Sequence, residues 1–304
     1  MDWTANVAVH ESASPDFLRE EISGALKDGR VHPHLLYSGM RQTALWVALH
    51  RAYSPAQRDE RCRALYQGVF RRAIEQVRGN VLHVVSLACG DGSKDLQCLQ
   101  ELREGSRTGI YTPVDISLEM VLTAHRTSAK ALRGLQSTPL LCDLARCSVL
   151  PAILKGFDPS GAERLILFLG TIHNYSPPEI VRSILYPLRS QDQLLISANL
   201  VGVPDYQVGL ESARAQYDNE PTRAWLLGAL SELGLTDEDG ELSFSIVESE
   251  TVATLKRIQA FFALNRSRKI VLFGEEMDLA QGTKLSVFFS YRFTLGQVRA
   301  FLQP

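Results

Sequence analysis

The stretch that most constrains this chain is residues 84–94, which read VVSLACGDGSK. An apolar, partly β-branched run from Val81 to Leu87 stops abruptly at a turn carrying Gly90 and Gly92. A helical pattern of Lys94, Leu96, Cys98, Leu99 and Leu102 begins at once. Strand, glycine turn and helix in that order open an α/β nucleotide-binding sheet. Glycine takes positive φ without steric cost and lets the backbone approach a ligand, and the free N–H groups of the new helix point at the same spot. The run is not Gly-x-Gly-x-x-Gly, because the first motif position is Ala88, and it is not a P-loop. A phosphate cradle is therefore not what the turn predicts.

Behind this unit the alternation continues. Apolar strands are expected at 81–87, 109–114, 138–141, 164–169 and 193–198, separated by helices at 94–103, 118–132, 149–154 and 179–189. Five such strands imply a mostly parallel sheet covered on both faces, with right-handed crossovers. About eighty mostly helical residues come first: residues 1–14 loosely ordered, helices at 16–27, 42–52 and 56–77, and an aromatic-bearing loop at 33–40. After Asn199 the pattern changes to two helices (206–218 and 221–233), then strands at 241–249, 252–263, 269–273 and 284–293, then a helix at 295–302. The expected architecture is a Rossmann-like, doubly wound core with a second α+β unit. The core is read as 60–200 plus 288–304, and the second unit as 1–59 plus 201–287.

Composition excludes several functions. A net charge of −2 argues against a nucleic-acid binder, which carries a basic stripe. No apolar run approaches the ~20 residues that span a bilayer. The N-terminus is acidic and has no positive n-region, so no signal peptide is read there. Five cysteines without a C-x-x-C pair suit a reducing cytoplasm, with neither a disulfide frame nor a zinc site. Cys89 beside the turn reads as a small hydrophobe rather than a nucleophile. His32 and His34 lack carboxylate neighbours in sequence, so no metal is expected.

Ligands of open α/β sheets sit outside the carboxyl ends of the strands. There the chain places Gly90, Asp91 and Lys94, then Asp115, then Asp143, then Gly170, Thr171 and Asn174. A carboxylate after the second strand accepts both ribose hydroxyls, and a side chain after the third accepts an adenine amine. Either acid can instead cap the next helix. Acidic ends without a phosphate cradle fit a phosphate-free adenosine ligand, and S-adenosylmethionine has that character.

These residues resemble the histidine Nα-methyltransferases of ergothioneine biosynthesis and their relatives acting on tryptophan-type amino acids, over roughly 37–293. The family's L-G-x-G-x-x-x-K resembles Leu87 to Lys94, and its Y-x-P-x-D-[VI]-S is matched fully by Tyr111 to Ser117. Its F-x-G-S-T-I-G-N-[FY] is matched, one residue shorter, by Phe168 to Tyr175. Its Y-D-D/N appears as Tyr217-Asp218-Asn219, and its S-x-K-[YF] as Ser290-Tyr291-Arg292-Phe293. Looser N-terminal matches run from Tyr37 to Trp46 and over Tyr53-Ser54-Pro55.

The resemblance implies S-adenosylmethionine as cofactor. Asp115 would hold its ribose, Asp143 its adenine amine, and Lys94 and Tyr37 its methionine part; Ala88, Gly90, Asp91 and Gly170 complete the set. Asn174 and Tyr217 would hold the carboxylate of an amino-acid substrate, with Tyr53, Phe288 and Ser290 beside them. No catalytic base is assigned, because methyl transfer is a displacement that needs positioning and a neutral amine.

Three departures from the family pattern matter. The family's imidazole-reading carboxylate, two residues before the serine, falls on Phe288. Histidine is therefore not the expected substrate, and an aromatic or apolar amino acid fits better. Ala88 replaces a glycine. The family continues with a further strand pair beyond the position of Pro304, which predicts an open sheet edge covered in a homodimer. Two other readings stand beside N-methylation of an amino acid: methylation of another small amine or hydroxyl, and a non-catalytic partner subunit that keeps the fold.

Overall fold

Near-continuous apolar runs form the middle of a parallel sheet in the computed structural model of the chain, which describes residues 4–79, 81–105, 108–185, 188–201 and 205–302. Its strands are β1 (Ala8–Val9), β2 (Val81–Leu87), β3 (Thr108–Asp115), β4 (Gln136–Ser137), β5 (Leu140–Leu141), β6 (Glu163–Leu169) and β7 (Gln193–Ser197). The order is β1-β5-β3-β2-β6-β7, with β4 also pairing β3, and every pairing is parallel. In β2 and β6 all residues after the first are buried, as helices on both faces of a parallel sheet require. This is the expected Rossmann-like arrangement.

The chain divides into two compact units. The first is Met1–Ala13, His50–Ile172 and Pro178–Ser197; the second is Ser14–Leu49, His173–Pro177 and Ala198–Pro304. The boundaries differ from the sequence division at its edges. Residues 288–304 fall in the second unit, and residues 1–13 and 50–59 in the first.

The N-terminus is not loose over its described part. Ala8 and Val9 pair with Leu140 and Leu141 as an edge strand, and Ser12 is buried. Two residues are too few to show a strand periodicity; hydrogen bonds to β5 create this strand. Residues 1–3 lie outside the described residues. The expected loop at 33–40 contains a short helix, Pro33–Tyr37, with proline in its first turn and the His32 ring accepting from the His34 N–H. The expected helix at 56–77 is two, Pro55–Arg58 and Glu60–Gln76. Between them Asp59 leaves helical geometry and caps the second through Arg61 N–H at 2.8 Å. The helix after β6 runs Pro177–Leu185; the next stretch of the expected 179–189 helix, residues 186–187, lies outside the described residues.

The second unit holds a three-stranded antiparallel sheet in the order β12-β9-β8, from β8 (Gly240–Glu248), β9 (Lys256–Leu264) and β12 (Lys284–Arg292). A hairpin joins β10 (Arg268–Leu272) to β11 (Glu275–Leu279). One sheet face carries Leu242 and Phe244, then Ile258, Ala260 and Phe262, then Leu285. It shares a core with Ile22 and Leu26 of helix Pro15–Lys27 and with Trp225, Leu226 and Leu230 of helix Glu220–Ser231. The register of β12 shifts at Val287: Ser286 pairs with Phe261, and Phe288 pairs with Ala260. This bulge puts Phe288, Ser290 and Arg292 on the core face. Unbroken alternation would send them to the opposite one.

The glycine turn after β2 contains a non-glycine residue in the left-handed region, Ala88 at φ +52, where a Cβ crowds the following carbonyl. Gly92, at φ +71, has a packing duty that the sequence reading did not assign. A Cβ there would lie 2.8 Å from Ala124 Cα and Cβ, so glycine lets the turn touch helix Leu118–Ala131. Opposite outcomes are expected by thermal melting. Ala88→Gly should stabilise by about 1 kcal/mol, whereas Gly92→Ala should destabilise by about 2 kcal/mol or more through strain and overpacking. Shifts of the same sign would contradict this account of the turn.

Candidate active site

Pairing of β2 with β3 sets Leu87 beside Val114, so the turn after β2 meets the end of β3. Cys89 N–H donates to Val114 O at 3.0 Å, and Gly90 N–H donates to Asp115 Oδ2 at 3.0 Å. Ser117 N–H donates to Asp115 Oδ1 at 3.1 Å. A carboxylate offers about four lone-pair positions, and three backbone N–H groups, those of Gly90, Ser117 and Ile116, take up most of them. Asp115 is buried, and that burial pushes its carboxyl up to about 6 against the opposing pull of the Gly90, Ser117 and Ile116 N–H groups. It braces the turn.

Asp143, past the end of β5, is buried. Its Oδ1 accepts from Ala145 N–H at 2.9 Å, and its own N–H donates to Ser12 Oγ at 3.0 Å. The short turn Glu11–Ala13 that follows the edge strand therefore helps fix it. Lys94, half-buried, donates from Nζ to Leu169 O at 3.0 Å, and burial lowers its pKa first. A Cβ at Gly170, which sits at φ +75, would lie 3.0 Å from that ammonium; glycine lets Lys94 reach the end of β6. Asp91 Oδ1 accepts from Ser93 N–H at 3.0 Å, capping the turn. Ala88, Gly90, Asp91, Lys94, Asp115, Asp143 and Gly170 thus all lie in the first unit, on or just past the carboxyl ends of β2, β3, β5 and β6.

Sequence reasoning missed the support beneath this site. Tyr111 donates its hydroxyl to Asp95 Oδ2 at 2.5 Å, deep beside the turn, and burial pushes Asp95 up to about 6. Burial, with Asp115 and Asp95 nearby, raises the Cys89 thiol well above its usual range. That keeps it protonated and fits a small hydrophobe, not a nucleophile. In the same unit His50 is pushed down to about 4 by burial and then by Lys94, so it is neutral at pH 7.

The second unit gathers Tyr37, Asn174, Tyr217, Phe288 and Ser290 into one connected group. Asn174 Nδ2 donates to Tyr37 Oη at 3.5 Å, and the Tyr37 ring lies 5.5 Å from that of Trp225. Trp225 meets Phe288 edge-on at 5.3 Å, and Phe288 meets Tyr217 at 5.9 Å. Tyr217 donates to Ser290 Oγ at 2.9 Å and accepts from Arg292 Nη2 at 2.5 Å. Asn174 Oδ1 is buried without a hydrogen-bond partner among the described residues. Tyr37, expected to serve the cofactor, meets Asn174 and Trp225 within the second unit. Tyr53 falls in the first unit, half exposed at the end of helix Met40–Tyr53, and is not part of this group. Trp225, Phe244 and Arg292 were missed. Arg292 was legible as the i+4 neighbour of Phe288 on a strand.

A parallel sheet with acids at successive strand ends and no phosphate cradle, in a chain that also groups an amide and phenols with aromatic rings, has the construction of a nucleoside-dependent small-molecule transferase. Residues 67–304 match the family described as histidine-specific, SAM-dependent methyltransferases, and the chain belongs to that family. It is a SAM-dependent methyltransferase, and S-adenosylmethionine is its cofactor. No curated protein sequence matches the chain. Among solved structures it is similar to magnesium protoporphyrin IX methyltransferase from Synechocystis PCC 6803 with bound SAH, at 14% identity and TM-score 0.34, covering 91% of this chain and 97% of that one. It is also similar to the CcbJ methyltransferase from Streptomyces caelestis, at 11% identity and TM-score 0.34, covering 78% and 76%. Likenesses this distant carry no argument about the site. No helix among the described residues is long and apolar enough to cross a membrane, and none of their His, Cys, Asp and Glu side chains group as a metal site.

The raised carboxyl of Asp115 gives a pH test. Only the ionised carboxylate accepts two hydroxyl protons, and burial moves its protonation from the usual ~4 to about 6. Calorimetry should therefore show S-adenosylmethionine affinity level above pH 7 and falling below pH 6, toward about tenfold per pH unit. Asp115→Asn should bind weakly, with a flat profile over the same range. A level wild-type profile from pH 7 to 5 would remove Asp115 from the ribose role.

Proposed function

We propose that this enzyme methylates the α-amine of an amino acid with an aromatic or apolar, tryptophan-like side chain, and that histidine is not its preferred substrate. The observation that carries the reading is the wall formed by Phe288, Trp225 and Phe244 in the same group as Asn174, Tyr217 and Ser290. Phe288 is a core residue, 9% exposed, and offers no acceptor to an imidazole N–H. Desolvating that N–H against phenyl rings is unfavourable, whereas an indole or phenyl ring gains by burial and by edge-to-face packing.

In this reading Asp115 holds the ribose, Asp143 the adenine amine and Lys94 the methionine part of the cofactor. Asn174 and Tyr217 orient the substrate carboxylate. The bound cofactor supplies an electrophilic methyl group. The protein's residues position the amine and keep water out, and no general base is assigned. The free cysteines among the described residues support a cytoplasmic setting. We also propose a homodimer; a monomeric mass by light scattering would exclude it.

Mass spectrometry of turnover against the twenty amino acids should give tryptophan or another aromatic at least tenfold over histidine. Phe288→Glu should move the preference toward histidine by restoring an acceptor, with lower thermal stability from the buried acid. Clear wild-type preference for histidine would overturn the substrate assignment.

A further inference from the structure

We infer that Arg292 is the cation that recognises the carboxylate of the substrate, so that this site takes amino acids and discriminates against the corresponding amines. The inference rests on reading the aromatic group of the second unit as the substrate site. Arg292 is 6% exposed, and its Nε and Nη1 have no hydrogen-bond partner among the described residues. Its one recorded hydrogen bond there runs from Nη2 to Tyr217 Oη, and its guanidinium lies 5.1 Å from the centre of that ring. Tyr217 does not neutralise this cation: its uncharged phenol oxygen offers Arg292 only a lone pair.

Arg164, the other buried arginine among the described residues, is treated differently. Arg164 donates Nε and Nη2 to the two oxygens of Asp158, with Asp192 3.9 Å from Nη1. Arg257, on the opposite face of the antiparallel sheet, pairs with Glu250 at 2.8 Å. No such carboxylate is paired with Arg292 among the described residues; its face-mates on β12 are Phe288 and Ser290, and Lys256, opposite it on β9, is itself paired with Glu248 at 3.0 Å. A guanidinium keeps its charge at any working pH, and a desolvated charge with idle donors is costly unless an anion arrives. The bulge at Val287 is what turns this cation toward the aromatic wall. An amino acid bound there would lay its side chain on Phe288 and Trp225 and its carboxylate on Arg292. Pairing that carboxylate with Arg292 also weakens its hold on the neighbouring ammonium proton, which favours the neutral, nucleophilic amine.

The test is calorimetry in saturating S-adenosylhomocysteine with tryptophan against tryptamine and phenylalanine against phenethylamine. Wild type should bind the better acid at least thirtyfold tighter than its amine. Arg292→Leu should cut that ratio below threefold by weakening the acid alone, and Arg292→Lys should recover part of it. Affinity for S-adenosylmethionine should stay within twofold in all three proteins. Arg292→Leu should melt no lower than wild type, since it removes an unpaired buried charge. A wild-type ratio near one, a ratio that survives Arg292→Leu, or a clear fall in Tm with the ratio intact would each overturn the assignment. Should Arg292→Leu fail to fold, the Arg292→Lys ratio decides, and an undiminished value with the charge displaced overturns it. Acid preference lost in the variants without methylation of any amino acid would sink the proposed reaction and leave the carboxylate site standing.

Discussion

The hydrogen bond from Gly90 N–H to the Asp115 carboxylate is the interaction on which the turn after β2 depends. It exists because the β2–β3 register brings the turn after one strand to the end of the next. Together with Cys89 N–H on Val114 O, it sews a left-handed turn to the sheet edge. What it holds is unfavourable taken alone. Ala88 is in a conformation that penalises a Cβ. Asp95, Asp115 and Lys94 are desolvated, and each has its charged form disfavoured first by burial. Their folded carboxyls titrate above the unfolded ones, so for both acids the protonated form is the one the fold favours. That contribution to stability is full below the unfolded value near ~4 and is lost as pH rises through about 6. The fold bears this at neutral pH because the rest of the sheet is densely apolar, and a strained, ionised ligand site is what remains.

The second unit turns on a single inserted residue. A strand with period two allots its side chains to faces by parity, and Val287 changes that parity partway along β12. Leu285 before the bulge and Phe288, Ser290 and Arg292 after it then share a face. Phe289 and Tyr291 go to the other side, where Arg257 stacks over both rings. A polar group, a cation and an aromatic ring are thereby aimed into a face whose middle is hydrocarbon, from Leu242 and Phe244 to Ile258, Ala260 and Phe262.

Much of this was readable in the sequence, for identifiable reasons. β2, β3 and β6 are long apolar runs whose burial follows from being covered on both faces, and once they are placed, the residues at their ends follow from register. Asp115, Asp143, Lys94 and Gly170 were legible in that way. Tyr217 and Ser290 were reached through motif resemblance, not through periodicity, and Asn174 through both. The short edge strand Ala8–Val9 was hidden because only its partner makes it a strand, and the break at Asp59 because a helical pattern runs on both sides of it. The bulge was invisible because an extra valine in an apolar strand changes no composition. Arg292 was passed over because a basic residue near the end of a strand looks like a solvated one until burial is known.

The aromatic group also explains how specificity can sit inside a core without being soft. Trp225 gives its indole N–H to Leu36 O at 2.7 Å, and Gln42, buried in the neighbouring helix, donates to Trp225 O at 3.1 Å. Helix Glu220–Ser231 approaches so closely that a Cβ on Gly228 would overlap Gln42 Oε1. The tryptophan is therefore fixed from behind, and Phe288 is fixed by the tryptophan. A wall held in this way needs no ligand to form. The choice between a polar and an apolar ring then becomes a comparison of desolvation costs on a rigid surface, and a rigid surface is where one missing acceptor discriminates most strongly.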